Sequence, residues 1–300
     1  MMKTFAVNGA GLGLRRELLP ALQSAVPETI NFFEVSPENW IDIGGRLGKI
    51  FRSFTERHSF VAHGLSLSLG GPAPLDIAFL RRMKAFLDEH NFVLYTEHLS
   101  FCSDEGHHYD LYPIPFTGEA VRHVAGRIRL AQEILERPVA LENASYYVTP
   151  PLAEMDELTF INAVLAEADC PLHLDVNNIY VNSLNHNYDA VTFLKGLCGE
   201  RIVYGHVAGH DLDKSRMIID THGQAVCEPV WALLELAYQV FGVFPTLLER
   251  DFNIPPLADL LVEVGHIADL QQYYGYGSGI APRAVGRTHP THRQAGGEIA

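Results

Sequence analysis

Short apolar runs alternate with longer amphipathic ones along this chain. The short runs, at 5–13, 29–35, 59–67, 92–98, 138–143, 171–176, 202–207 and 244–249, are of strand length. Between them, 75–90, 117–136, 155–168, 187–198, 228–241 and 256–273 carry apolar residues at three- and four-residue intervals, the spacing of one helix face. This alternation predicts parallel strands joined by crossover helices, and eight strands suit a closed (β/α)8 TIM barrel of the α/β class. An open doubly wound sheet is the rival architecture, but it usually carries a glycine fingerprint after its first strand. Gly9, Gly11 and Gly13 give only GxGxG, a weak signal.

Six strand-like segments end in a side chain able to bind a metal: His63, His98, Glu142, Asp175, His206 and Glu249. They recur about every 37 residues, one strand-plus-helix unit, and a parallel barrel gathers its strand ends on one face. A lone buried histidine is more often a hydrogen-bonded structural residue, and a lone glutamate more often pairs with an arginine. Six in succession are harder to dismiss, because unpaired charges in low dielectric are heavily penalised and a metal cluster removes the penalty.

Further donors lie beside the series. Asp220 and His222 can reach one ion from a short extended loop, and Asn178, three residues after Asp175, offers a weak oxygen. His210 is open between a loop role and a role supporting the ligands. Glu34 and Asn143 are better placed to orient ligands or substrate than to bind metal.

Composition narrows the function. The 300 residues are 47% hydrophobic, enough to fill one large barrel as a single domain over 1–275. Twenty-two Lys and Arg against 36 Asp and Glu leave a formal charge of −14, which argues against nucleic acid as a partner. Cys102, Cys170, Cys198 and Cys227 form no CxxC pair and suggest neither a thiolate zinc site nor a disulfide framework, so a reducing cytoplasm is expected. No uncharged 18-residue apolar stretch or signal peptide appears, and no membrane association is expected. Residues 276–300 are rich in Gly, Pro and Ala and read as a mobile tail, in which His289 and His292 would lack fixed geometry.

Two connections look long enough to wall a substrate site. Ser100 to Phe116 carries His108 and Asp110 among other polar and aromatic residues, and Asn177 to Asn187 has a similar character. Cys102 lies in the first, with nothing around it to mark a catalytic thiol.

Eight segments together carry a family resemblance: FFEVSPENW (32–40), AHGLSLSLGG (62–71), TEHLSF (96–101), LENAS (141–145), HLDVNN (173–178), GHVAGH (205–210), DTHG (220–223) and LLERDFNIP (247–255). In order, they resemble the multinuclear non-heme iron-dependent oxidative enzymes, whose founding members modify peptide cysteines during methanobactin biosynthesis. The resemblance runs from about residue 8 to 275 and implies a xylose isomerase-like barrel with the metal arrangement of endonuclease IV. By carry-over, Glu142, Asp175, His206 and Glu249 hold one iron, His63, His98 and a bridging Glu142 a second, and Asp220 and His222 a third. Asn178 stands where the nuclease arrangement calls for a histidine.

The resemblance further implies two or three irons per chain, with a mixed ferrous and ferric set allowed, and dioxygen as co-substrate. A thiolate of a ribosomally made, cysteine-containing precursor peptide would bind ferrous iron and lose a hydrogen from its Cβ. The metal ligands themselves are the catalytic residues in this picture, and a separately encoded partner protein presents the leader part of the peptide. Zinc-dependent phosphodiester hydrolysis of the endonuclease IV type and sugar isomerisation with two divalent ions remain as alternatives from the ligand set, as does a non-enzymatic metal-holding or peptide-binding scaffold.

Overall fold

A computed structural model describes residues 5–275, apart from Glu105, Ser215 and the side chains of His107 and Tyr109. The expected tail at 276–300, with His289 and His292, lies outside the described residues.

Eight parallel strands close into a barrel in the order β1 (Ala10–Gly13), β2 (Phe32–Val35), β3 (Ser59–Gly64), β4 (Leu94–His98), β7 (Val139–Glu142), β8 (Leu172–Asp175), β9 (Ile202–Val207) and β12 (Thr246–Leu248), with β12 pairing back onto β1. Each is short and almost wholly buried, as expected of strands covered by side chains inside and helices outside. The expected strand segments all contain one of these; 202–207 coincides with β9, Val176 of 171–176 opens α6, and the rest carry flanks outside the strands. Helices α1 (Leu19–Leu22), α2 (Gly45–Thr55), α3 (Ile77–Glu89), α4 (Gly118–Leu135), α5 (Glu157–Ala168), α6 (Val176–His186), α7 (Ala190–Gly196), α8 (Glu228–Phe241) and α9 (Leu257–Gly275) form the outer ring. Asp76, Thr117, Asp156, Asp175 and Asp189 cap α3, α4, α5, α6 and α7 by accepting a backbone N–H from the first turn.

Side chains fill the barrel in layers. Val7, Phe32, Val61, Tyr204 and Leu247 form an apolar plug inside the lower barrel, separate from the larger core between strands and helices. Gly11 lacks a side chain because a Cβ there would sit 2.4 Å from the Phe32 ring. Two residues further along β2, β3 and β9 the interior turns polar, and Glu34, His63 and His206 are buried there together with Glu142 and Asp175. The change of chemistry is set by strand alternation: Phe32 and Glu34, Val61 and His63, Tyr204 and His206 share an inward face.

Two readings of the connections are corrected. Ser100 to Phe116 is no simple loop: β5 (Phe101–Ser103) and β6 (His107–Tyr112) pair antiparallel, holding the segment as a hairpin. Asn177 to Asn187 is helix α6 for almost its whole length. Its asparagines have poor helix propensity, but the Asp175 cap and burial of Val176, Ile179 and Val181 override it. A second small hairpin, β10 (Asp211–Leu212) with β11 (Ile218–Ile219), follows β9. No helix among the described residues is long and apolar enough to cross a membrane.

Candidate metal centre

The carboxyl ends of the barrel strands bring His63, His98, Glu142, Asp175, His206 and Glu249 to one place, joined by Asp220 and His222 from the β9–α8 connection. Glu142 Oε2 lies 3.0 Å from His63 Nε2 and 3.3 Å from His98 Nε2, and those two nitrogens are 3.2 Å apart. His206 Nδ1 lies 2.9 Å from Glu249 Oε2, 3.8 Å from Asp175 Oδ2 and 3.9 Å from Glu142 Oε1. His222 Nε2 lies 2.7 Å from Asp220 Oδ1. Donor atoms bound to one ion at about 2.0–2.2 Å must lie within about 4.4 Å of one another, so these separations fit ligation.

Many of these atoms are orphans. Glu142 Oε2, Asp175 Oδ2, Asn178 Oδ1, His206 Nδ1, His222 Nε2 and Glu249 Oε2 are buried without a hydrogen-bond partner. Several lie 2.7–3.3 Å from another donor atom of the cluster without meeting hydrogen-bond geometry. Buried polar atoms are rarely left this way unless something else satisfies them. The residues therefore fit cations.

A surrounding set of contacts fixes each ring. His63 Nδ1 meets Thr96 Oγ1 at 2.7 Å, His98 Nδ1 meets the Gly64 carbonyl at 3.0 Å, His206 Nε2 meets Glu34 Oε2 at 2.9 Å, and His222 Nδ1 meets Asp251 Oδ2 at 2.9 Å. In each case one ring nitrogen is anchored and the other is left for the cluster, as metal-binding histidines usually are. Glu34 also accepts from Tyr204 Oη at 2.9 Å, and it groups with His206 and Glu249 as a candidate set of donors. Asn143 clamps the Asp175 backbone reciprocally, accepting its N–H at 3.0 Å and donating to its carbonyl at 2.8 Å. Asp175 divides its work: Oδ1 caps α6 by accepting the Asn178 N–H at 2.6 Å, and Oδ2 is left facing the cluster.

Of the remaining expected residues, some lie beside the cluster and some do not. Asn178 donates Nδ2 to Glu142 Oε1 at 3.1 Å, with its Oδ1 unpartnered. Asp220 accepts from Ser145 Oγ at 2.9 Å and Asn177 Nδ2 at 2.7 Å, and His210 Nδ1 meets Asn177 Oδ1 at 2.8 Å, one step behind Asp220. The Asp220 to His222 segment is not extended: His222 has φ 50°, a left-handed backbone that turns its ring toward Asp220. His108 and Asp110 are exposed on β6 and are not drawn into the cluster.

Three participants are absent from the strand-end series. Asp251, two residues after Glu249, holds His222 and is itself held by Arg15, whose Nε donates at 2.9 Å. Arg15 Nη2 also lies 3.6 Å from Glu249 Oε1. His173 sits on β8 two residues before Asp175, wholly buried, with a ligand atom within 4.8 Å of those of His63 and Glu142. A search one inward position down each strand, rather than at strand ends alone, would have found it.

Electrostatics follow the geometry. Burial opposes charge on His63, but Glu142 outweighs it and raises the imidazole to about 9. Burial likewise opposes the Glu142 and Glu249 carboxylates, yet His63 and His98 for the first, and His222 and His206 for the second, hold both below the ordinary range. Asp175 is pushed up by burial and by Glu142 and Asp220. Carboxylates this close are mutually repulsive, and cations between them would relieve the repulsion. Burial raises the Cys102 thiol to about 11, consistent with an incidental cysteine.

The sequence pattern of the family described as RiPP precursor modification enzyme MbnB/TglH/ChrH matches residues 9–272. A UPF0276 protein of Nitrosospira multiformis is 63% identical over 261 residues, 87% of this chain and 92% of that protein. A UPF0276 protein of Shewanella amazonensis is 58% identical over 262 residues, covering 87% and 94%. Among solved structures, a D-psicose 3-epimerase of Clostridium cellulolyticum H10 superposes with TM-score 0.57 at 10% identity, covering 89% of this chain and 99% of the other. A xylose isomerase domain protein of Alicyclobacillus acidocaldarius gives 0.53 at 15%, covering 88% and 100%. These neighbours share the fold, a xylose isomerase-like TIM barrel. With nearly the whole described barrel matched in sequence, the chain belongs to the MbnB/TglH/ChrH family of RiPP precursor modification enzymes.

Proposed function

We propose that this protein is a multinuclear iron-dependent oxidative enzyme that uses dioxygen to modify cysteine residues of a ribosomally synthesised precursor peptide. The observation that carries the reading is the set of four histidines, each with one ring nitrogen anchored and the other directed into a space shared with orphaned carboxylate oxygens. Family membership supplies the peptide as substrate class.

His63, His98 and Glu142 would hold one iron, Glu142, Asp175, His206 and Glu249 a second, and Asp220 and His222 a third. Bound iron supplies an acceptor for a substrate thiolate and a means of activating dioxygen. The chain's own residues do the rest. Glu142, with one oxygen toward His63 and His98 and the other toward Asn178 and His206, would bridge two ions. Thr96, Glu34 and Asp251 hold the imidazoles in one orientation and tautomer. None of the four cysteines is among these donors, so a substrate thiolate would be the sulfur ligand. A separately encoded partner that presents the peptide belongs to the same proposal, as does a cytoplasmic location.

The test mixes reduced, iron-loaded protein with a cysteine-containing precursor peptide and its presenting partner, and follows peptide mass with and without oxygen. An oxygen-dependent mass change that disappears when the cysteines are replaced by serine is expected. A change that persists anaerobically, or survives the replacement, would sink the oxidative reading and bring zinc-type hydrolysis forward.

A further inference from the structure

His173 is the least explained polar side chain in the barrel. It has no exposed surface, and neither ring nitrogen has a hydrogen-bond partner. The other cluster histidines have one anchored nitrogen each; His173 has none. Its ring lies below the cluster, edge-on to His206 with centroids 4.0 Å apart and to His63 at 5.2 Å, and it rests on Tyr204 at 4.6 Å. β8 pairs with β7 so that His173 stands opposite Glu142.

Packing alone is a poor account of this. Phe32, Val61 and Leu247 fill the same interior without polar atoms, so a ring chosen only for volume could be phenylalanine. A neutral imidazole, which its burial and the neighbouring His206 favour, carries one N–H and one lone pair, and both are buried. A ligand atom of His173 is within 4.8 Å of those of both His63 and Glu142, which groups the three as candidate donors to one ion.

We propose that His173 is a nitrogen ligand, from beneath, to the metal held by His63 and Glu142. With His98, that position would be held by three imidazoles and a single bridging carboxylate, beside a carboxylate-rich position formed by Asp175, Glu249 and His206. The two seats would then differ in charge as well as in place: neutral donors neutralise little of the cation, whereas the second seat surrounds it with anions. This inference rests on the metal-centre reading above.

The experiment compares full-length wild type with His173→Phe, which keeps an aromatic ring but removes both nitrogens, and His173→Gln, which keeps polar atoms but removes the imidazole. Each is loaded with iron anaerobically, and metal per chain is measured by elemental analysis with circular dichroism as the check on folding. Both variants should hold about one ion fewer than wild type at equal loading, or bind that ion at least tenfold more weakly. Equal stoichiometry and affinity in folded His173→Phe would overturn the assignment and leave His173 as packing. Wild type that takes up no metal would instead overturn the metal centre itself. Should both variants fail to fold, cobalt-loaded wild type decides alone: five paramagnetically shifted imidazole N–H resonances are expected, from His63, His98, His173, His206 and His222, and four would overturn the proposal.

Discussion

Two groups of buried carboxylates lie within this barrel's upper half, and they are satisfied in opposite ways. Glu157, at the start of α5 and 8% exposed, accepts from Tyr146 Oη at 3.1 Å on one oxygen and from Asn182 Nδ2 at 3.1 Å on the other. Asn182 in turn accepts the Tyr146 N–H at 3.0 Å, so the network ties the β7–α5 connection to α6 with both carboxylate oxygens used. Glu142, Asp175 and Glu249 are as deeply buried, yet each keeps an oxygen without a hydrogen bond. A completed network needs nothing more and serves the fold. An incomplete one, whose loose ends converge, is prepared for a ligand.

The sharpest way to break that contrast is Glu142→Gln. A neutral amide cannot offset two dications, so metal per chain should fall below half of wild type and activity by a hundredfold or more. Equal metal content in the variant would remove the bridging role. Glu157→Ala makes the opposite prediction: it should keep its metal but lose about 3–4 kcal/mol of stability, because Tyr146 and Asn182 are left with buried unpaired groups. Denaturant unfolding of the metal-free chain reads this, and a loss of metal with unchanged stability would put Glu157 in the wrong group.

The pH dependence separates the same two groups. Burial raises Glu157 to about 7, so the folded chain holds its proton more tightly than the unfolded one. That contribution is full below the ordinary carboxylate value near 4.5 and is lost as pH rises through 7. Glu157→Gln should therefore remove a decline of about 3 kcal/mol between pH 4.5 and 7, seen as the difference between variant and wild-type stability curves. Parallel curves would show that Glu157 titrates normally.

Two smaller effects grade the cluster itself. Glu34→Gln weakens the hold on His206 Nε2 and should cost about 10- to 100-fold in metal affinity. Asn178→Ala removes only one neutral oxygen and one donor to Glu142, and should cost less than about tenfold in a chelator competition. A larger loss for Asn178→Ala than for Glu34→Gln would make Asn178 a principal ligand.

Much of this site was legible because strand alternation and strand-to-strand spacing are properties of the chain alone. His63, His98, Glu142, Asp175 and His206 each end or nearly end a barrel strand, and Glu249 follows one by a single residue. His173 escaped because a histidine in mid-strand looks like any other core residue until its unpartnered nitrogens are seen. Asp251 and Arg15 escaped for a different reason: they meet across the barrel seam, 236 residues apart, and no local pattern links them. Glu157 read simply as part of a helical face.

The sequence by itself determined the alternation of strands and helices, the closed barrel, and the run of donors at strand ends, because these follow from periodicity and from the single face on which parallel strands finish. Only the tertiary structure decided which atoms of those donors are spoken for. Whether a carboxylate oxygen is capped, as Asp175 Oδ1 is by the Asn178 N–H, or left open, as Asp175 Oδ2 is, depends on rotamers and on neighbours from other strands. It also decided that asparagine-rich α6 is a helix, since burial against the barrel outweighs weak local propensity. Hydrogen bonds are short-ranged and directional, so satisfaction is settled between elements that the chain brings together only on folding.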